Sequence, residues 1–175
     1  MRLSKKQREI IKIIGKVILL TSAIAVPGMG VILKSLNDDS YKSKYLTKKR
    51  VEKLEEAGVI YLSGDRIKLT KKGKELAKKI LIEDIEIKHG ENWNGIWQLV
   101  SYDIPEKRKK ERDFFRKVIR DLGFKQIQDS LWVLPWECKE EIALICQNLG
   151  IAPFVAYLNT KHLPRQNYLE KYFDL

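Results

Sequence analysis

The second half of the chain alternates short apolar segments with amphipathic ones in an order that few folds accept. Four short apolar stretches bounded by turn formers predict β-strands at residues 96–102, 124–128, 131–134 and 153–158. Residues 106–122 and 137–149 instead carry apolar side chains at helical spacing, and each is followed by a glycine that can end a helix. The resulting order, β-α-β-β-α-β, predicts a ferredoxin-like fold.

The first half carries different signals. Polar residues at three-to-four spacing between Lys5 and Lys16 lie opposite isoleucines, which predicts an amphipathic helix. Two further helices, two short strands around a glycine turn and a closing helix follow at residues 31–36, 43–57, 59–62, 66–69 and 70–82. This is the order of a winged helix-turn-helix domain.

Together the halves predict an α+β chain with two domains. We expect a winged helix-turn-helix DNA-binding domain over residues 1–84, a linker over 85–95 and a ferredoxin-like dimerisation domain over 96–175. The charge divides at the same place, because residues 1–84 have a net charge of +10 and residues 85–175 a net charge of +1. A basic module favours a polyanionic partner, and a lysine-rich surface that only keeps the protein in solution is the alternative.

The charges of the third predicted helix are placed against its own dipole. Lysines crowd its N-terminal end while Glu52, Glu55 and Glu56 occupy its C-terminal half. Recognition helices contact DNA through their N-terminal residues, so cations at that end of the helix favour a role in DNA binding. The predicted DNA-binding residues of this helix and of the hairpin are Lys42, Lys44, Tyr45, Lys48, Lys49, Arg50, Arg66 and Lys68. A protein-binding winged helix is the alternative interpretation.

Cysteine and histidine spacing excludes several chemistries. Cys138 and Cys146 lie eight residues apart without a flanking histidine, so zinc-finger and thioredoxin patterns are absent. His89 and His162 are equally isolated, and no nucleophile–histidine–carboxylate triad is indicated. We therefore expect two reduced, buried thiols.

One segment resembles a membrane or secretion signal. Residues 17–33 form an uncharged run of 17 residues behind a basic start. The run is shorter than the roughly 20 residues that a membrane span needs. It is also interrupted by Pro27, Gly28 and Gly30, and an amphipathic helix precedes it. We therefore expect no membrane association and a cytoplasmic protein.

Three segments of the second half carry a family resemblance. WQLVSYDIPEKR (97–108), LGF (122–124) and QDSLWV (128–133) resemble the small ferredoxin-like subunit of the CRISPR spacer-integration complex, CRISPR-associated protein two. They look even more like the central domain of PaaX-type transcriptional repressors, in which a winged helix precedes that domain, as predicted here. The repressors carry a further C-terminal domain, which this chain is expected to lack.

Asp103 separates two functions that the resemblance implies. In the CRISPR-associated family, the aspartate that ends the first strand is the proposed ligand of a divalent metal, with a second copy from the symmetry mate. Two carboxylates across a two-fold axis could hold Mg²⁺ for phosphodiester cleavage. The alternative is that Asp103 caps the turn before Glu106.

The leading interpretation is a homodimeric regulator that binds double-stranded DNA and resembles PaaX-type repressors, with no cofactor. The alternative is a Mg²⁺-dependent endonuclease or spacer-integration subunit that uses Asp103 from both protomers. Four residues on or beside the sheet are candidates for the dimer interface or for the core: Trp97, Trp132, Val133 and Trp136. The apolar tail at residues 159–175 packs either on its own domain or on the partner.

Overall fold

A computed structural model describes residues 3–21, 26–36, 40–64, 66–90 and 92–175. The chain is α+β, as predicted, with helices and two antiparallel sheets. Its contacts divide it into two compact units, Met1–Asp84 and Ile85–Leu175. None of the helices in the described residues is long and apolar enough to span a bilayer.

The described residues of the N-terminal unit form four helices and a three-stranded sheet. In chain order these are α1 (Lys5–Thr21), β1 (Val26–Pro27), α2 (Met29–Ser35), α3 (Tyr41–Glu56), β2 (Ile60–Ser63), β3 (Arg66–Leu69) and α4 (Lys71–Glu83). The strands lie in the order β1-β3-β2, and both pairs are antiparallel. The sequence did not predict β1. Its two residues pair with Ile67 and Arg66, and they lie within the uncharged run at residues 17–33.

Side-chain caps fix where two of these helices begin. Ser40 accepts a hydrogen bond from the Ser43 N–H, so α3 begins at Tyr41 rather than at residue 43. Thr70 accepts one from the Gly73 N–H and caps α4. On α3, the Glu55 carboxylate accepts a hydrogen bond from the Leu62 N–H at 2.8 Å. That acid therefore ties the helix to the hairpin.

The core of this unit is aliphatic. Isoleucines 10, 11 and 14 of α1 are fully buried together with Val51 and Leu54 of α3. The apolar pattern of the α3 sequence predicts Leu46 on the buried side together with Val51 and Leu54; this prediction is wrong, because Leu46 is 38% exposed and Thr47 is fully buried in its place. Helical spacing places Thr47, Val51 and Leu54 on one side, so α3 is rotated relative to the prediction.

In the C-terminal unit, the part of the chain that the structure describes forms four strands, three helices and two short 3₁₀ turns. In chain order the strands and helices are β4 (Trp97–Tyr102), α5 (Lys109–Asp121), β5 (Lys125–Gln128), β6 (Leu131–Leu134), α6 (Lys139–Leu149), β7 (Val155–Thr160) and α7 (Gln166–Phe173). The 3₁₀ turns span Glu106–Arg108 and Ala152–Phe154. The sheet has the order β5-β6-β4-β7, and each neighbouring pair is antiparallel.

The two faces of this sheet are covered by different elements. On one face, Phe115 of α5 packs edge-on against Tyr102, with ring centroids 5.6 Å apart. On the other face, Trp97, Leu99 and Val133 form a cluster with Leu169 of α7. The tail therefore packs on its own unit. Trp97, Trp132 and Val133 are core residues, whereas Trp136 is half-buried.

The segment before β4 is bound to the C-terminal unit by aromatic contacts. His89 stacks on Trp136 with ring centroids 3.9 Å apart, and Trp93 packs against Trp97 at 4.6 Å. The Trp93 Nε1–H also donates to the Ile96 carbonyl at 3.2 Å. Residues from the predicted linker thus belong to the aromatic surface of this unit.

Both cysteines are buried and reduced, as expected. Burial raises the pKa of Cys138 and that of Cys146 to about 12. The thiolate is the reactive form, so both thiols stay protonated and unreactive at pH values where an exposed cysteine ionises. Near a pH of about 8.5, we expect iodoacetamide to alkylate the native protein roughly 100-fold more slowly than the urea-unfolded protein. Mass spectrometry of quenched samples measures both rates, and equal rates would contradict the buried placement.

Candidate nucleic-acid interface

Helix α3 has one buried side and one cationic side. Thr47, Val51 and Leu54 fill the buried side. Because residues three or four apart share a helix face, Lys42, Tyr45 and Lys49 form the ridge that lies opposite. Lys44 and Arg50 lie on the two flanks, between the ridge and the core. Helix α3 therefore presents a central ridge with a cation on either side of it.

The exposure of these side chains agrees with that geometry. The four lysines at 42, 44, 48 and 49 are exposed, and Arg50 is half-buried. Tyr45 is 51% exposed, and the Lys49 Nζ lies 4.8 Å from the centroid of its ring. A lysine ammonium over an aromatic face is attracted by the ring quadrupole, so this contact holds Tyr45 and Lys49 together on the ridge.

The β2–β3 hairpin repeats the pairing of a tyrosine with a lysine. Tyr61 and Lys68 are cross-strand partners, and the Lys68 Nζ lies 5.6 Å from the Tyr61 ring centroid. Arg66 is exposed at the start of β3. Gly64 has φ +59 in the turn, a conformation that glycine adopts without a steric penalty. The hairpin therefore adds two cations to those of α3.

Carboxylates neutralise a different part of this unit. The ion pairs found among its described residues join positions on α1 and α4 or at their ends: Lys6–Glu9, Arg8–Glu83, Lys12–Asp84 and Lys78–Glu75. In that described part, none of the cations predicted to bind DNA pairs with an acidic side chain. The first turn of α3 also contains no acidic residue. The cations of α3 and the hairpin are thus available to an external anion.

Sequence reasoning missed the extent of the apolar surface here. Tyr41 is 88% exposed, and Tyr61, Leu46 and Leu62 are each exposed by about two-fifths. The only available signal is negative and concerns Tyr41 and Tyr61, which stand at positions that the core pattern of α3 and the hairpin leaves unused. The surface is therefore basic and aromatic together, rather than uniformly charged.

Asp103 lies far along the chain, in the C-terminal unit. Its side chain is exposed, and its backbone N–H donates to the Phe154 carbonyl at 2.9 Å. The expectation that it caps the following turn is wrong, because no side chain caps the 3₁₀ turn or α5. Asp103 lies in a shallow depression of about 260 Å³ that also contains Asp129, Arg112 and Arg116.

The guanidinium groups of that depression are held by local acceptors. Arg116 Nε donates to the Tyr102 hydroxyl at 3.0 Å, and Arg112 pairs with Glu106 at 2.7 Å. The Arg112 hydrogen bond and charge hold the pKa of Glu106 below its ordinary value.

This depression offers few ligands for a divalent cation. Mg²⁺ prefers near-octahedral oxygen ligands. Over the described ranges, no group of three histidine, cysteine, aspartate or glutamate side chains could hold a metal. The two arginines add positive charge beside Asp103. One protomer therefore does not supply a fitting magnesium site at this position.

Comparison with known proteins agrees with the sequence resemblance. Residues 90–171 match the family model described as the PaaX protein central Cas2-like domain. The match spans β4 through most of α7 and includes Asp103. No curated protein matches the chain.

Proposed function

We propose that the chain is a cytoplasmic, dimeric, DNA-binding transcriptional regulator of the PaaX type, on the premise that residues 90–171 match the model of the PaaX central Cas2-like domain. The observation that carries this proposal is the unneutralised cationic face of α3 and the hairpin. A basic, partly aromatic face on a small domain is typical of nucleic-acid binding.

The element order of the N-terminal unit supports a winged helix-turn-helix. Helices α2 and α3 follow one another along the chain, and β2 and β3 form a hairpin directly after α3. In that fold the second helix of the motif enters the major groove and the hairpin lies against the backbone. The cations at Lys42, Lys44 and Arg66 lie on the elements that the fold would bring to DNA.

The strand order of the C-terminal unit supports a ferredoxin-like fold. The first and third strands of the β-α-β-β-α-β order, β4 and β6, are the central pair, and β5 and β7 are the edges. This is the arrangement of two interleaved split βαβ units.

One sheet face of this unit carries exposed apolar side chains beside α7. Leu158 is the cross-strand partner of Leu99, so its side chain lies on the same sheet face as the α7 cluster. It is nevertheless 54% exposed, and the neighbouring Ala156 is also exposed. An apolar strip beside α7 suits an isologous dimer contact. A two-fold axis would give the assembly two α3 helices for two DNA half-sites.

Removal of two cations tests the DNA contact. Each lysine that contacts a phosphate releases about one counterion on binding. Lys48→Ala/Lys49→Ala should therefore reduce the slope of log affinity against log salt by about one to two. Fluorescence anisotropy with a labelled duplex over a salt series measures that slope. Lys109→Ala/Lys110→Ala on α5 is the matched control, and an equal change in both variants would place the DNA contact elsewhere.

Selection of bound duplexes from a random library tests the regulator itself. We expect the full chain to recover an inverted repeat with fixed half-site spacing, since a two-fold dimer imposes its symmetry on its site. Recovered DNA without a common sequence would contradict a sequence-specific regulator. Cleavage of that DNA in Mg²⁺ by the wild type, abolished in Asp103→Ala, would favour the endonuclease alternative instead.

A further inference from the structure

The exposed apolar side chains of the N-terminal unit are confined to one region. Among its described residues, all the large apolar side chains that are exposed lie on α3 and β2: Tyr41, Tyr45, Leu46, Tyr61 and Leu62. The outer surfaces of α1 and α4 carry charged side chains and their ion pairs instead. Single exposed apolar residues are common on proteins, but concentration on one helix and the adjoining strand marks a contact surface.

The composition of the α3 ridge restricts which bases such a contact can recognise in DNA. Arginine bound to guanine by two hydrogen bonds is the commonest specific contact in the major groove. The only arginine of α3, Arg50, is half-buried on the flank, and the ridge carries Tyr45 between lysines. Apolar side chains in the major groove contact the C5-methyl group of thymine, the only base that has one. Tyr45 and Leu46 are consecutive, exposed and flanked by cations for phosphates.

We infer that α3 recognises thymine-rich DNA through its methyl groups, with Tyr45 and Leu46 as the apolar contacts and with Lys44 and Arg50 as flanking phosphate contacts. This inference rests on the proposed DNA-binding function and specifies what that surface reads. The contact between Lys49 and Tyr45 orders the ring before binding, which lowers the entropy that the side chain loses in the complex.

The thymine methyl can be removed without changing the charge of the DNA. Duplexes of alternating dA·dT, dA·dU and dG·dC, equal in length, are compared in competition against one labelled duplex. Each buried methyl group is expected to contribute about fourfold in affinity. Two contacts should therefore favour dA·dT over dA·dU by roughly 15-fold, and dA·dT should also be preferred to dG·dC.

Two variants assign the effect to α3. Tyr45→Ala/Leu46→Ala should bring the dA·dT to dA·dU ratio close to one, whereas Tyr45→Phe, which keeps the ring, should retain it. Tyr168→Ala is the matched control, because Tyr168 is similarly exposed, at 55%, but lies on α7. The wild-type ratio itself needs no variant, so a folding defect cannot obscure the result.

The possible outcomes distinguish the thymine inference from the proposal that the protein binds DNA. Equal affinity for dA·dT and dA·dU would overturn the thymine inference and leave the DNA-binding proposal standing. A preference that survives Tyr45→Ala/Leu46→Ala would also overturn it, because the methyl contact would then lie elsewhere. Failure to bind any of the three duplexes even at low salt, where phosphate contacts alone support non-specific binding, would overturn both.

Discussion

Lys42→Glu/Lys44→Glu should weaken DNA binding about 100-fold near physiological salt and at the same time raise the thermal stability of the N-terminal unit. Both lysines are exposed near the start of α3, where the helix dipole is positive and no acidic residue compensates. Loss of two phosphate contacts, followed by repulsion from the DNA, lowers affinity. The same exchange removes two unfavourable interactions with the dipole and adds two favourable ones.

The stability gain should be about 1 kcal/mol, or a rise in melting temperature of roughly 5 °C. The helix dipole alone would favour acidic residues at these two positions. A substitution that lowers DNA affinity and raises stability would therefore indicate that the lysines serve binding rather than folding. Circular dichroism melts and anisotropy titrations measure the two effects.

A control with the same charge change isolates the site. Lys109→Glu/Lys110→Glu reverses two exposed lysines in the first turn of α5, outside the proposed interface. We expect its affinity for DNA to fall by less than about threefold, through net charge alone. Comparable losses in the two variants would mean that α3 has no special place in DNA binding.

Gly73→Ala should be the most destabilising small substitution in the N-terminal unit. A Cβ at Gly73 would lie 2.0 Å from the Val59 carbonyl oxygen and 3.1 Å from Leu69 Cδ2. The Val59 carbonyl is also the acceptor for the Thr70 N–H at 3.1 Å, so it cannot withdraw without loss of the capped start of α4. Overpacking against backbone costs about 3 kcal/mol or more.

The tryptophans allow that effect to be assigned to one unit. All four, at positions 93, 97, 132 and 136, lie in the C-terminal unit. Circular dichroism reports on both units, whereas tryptophan fluorescence follows only the C-terminal one. Gly73→Ala should lower the urea midpoint of the circular dichroism transition and leave the fluorescence midpoint unchanged.

Gly30→Ala on α2 is the matched control, since a Cβ there meets nothing within 4 Å. Alanine is the better helix former, and we expect a gain of about 0.5–1 kcal/mol. Equal losses at positions 30 and 73 would contradict the close approach of Gly73 to Val59.

The regular elements that carry strong local signals were predictable. Thr70 as a cap, Gly64 in the hairpin turn and the α5 stripe of Phe115, Val118 and Ile119 each have one physical explanation, and the structure contains all of them. The four strands of the C-terminal sheet were predicted within one or two residues. These are positions where local preference and tertiary packing favour the same conformation.

The elements that were missed lack such signals. Helix α7 begins after Arg165, which has φ 61 and offers no side-chain cap, so its start carries no sequence mark. Strand β1 consists of two residues, one of them a proline, and exists because β3 offers a free edge. Thr47 is fully buried although its hydroxyl lacks a partner in the described structure. Burial of threonine in place of Leu46 reverses the usual hydrophobic preference, and only tertiary packing determines it.

The aromatic contacts of His89 and Trp93 determine how the protein can be divided. Strand β4 begins at Trp97, and a chain shortened to start there would expose Trp97 and Trp136 by removing the rings that cover them. Two large indoles at a free surface invite self-association. Isolation of the C-terminal unit for dimerisation studies therefore requires a start at Ile85, and aggregation of a shorter fragment would reflect the position of the cut.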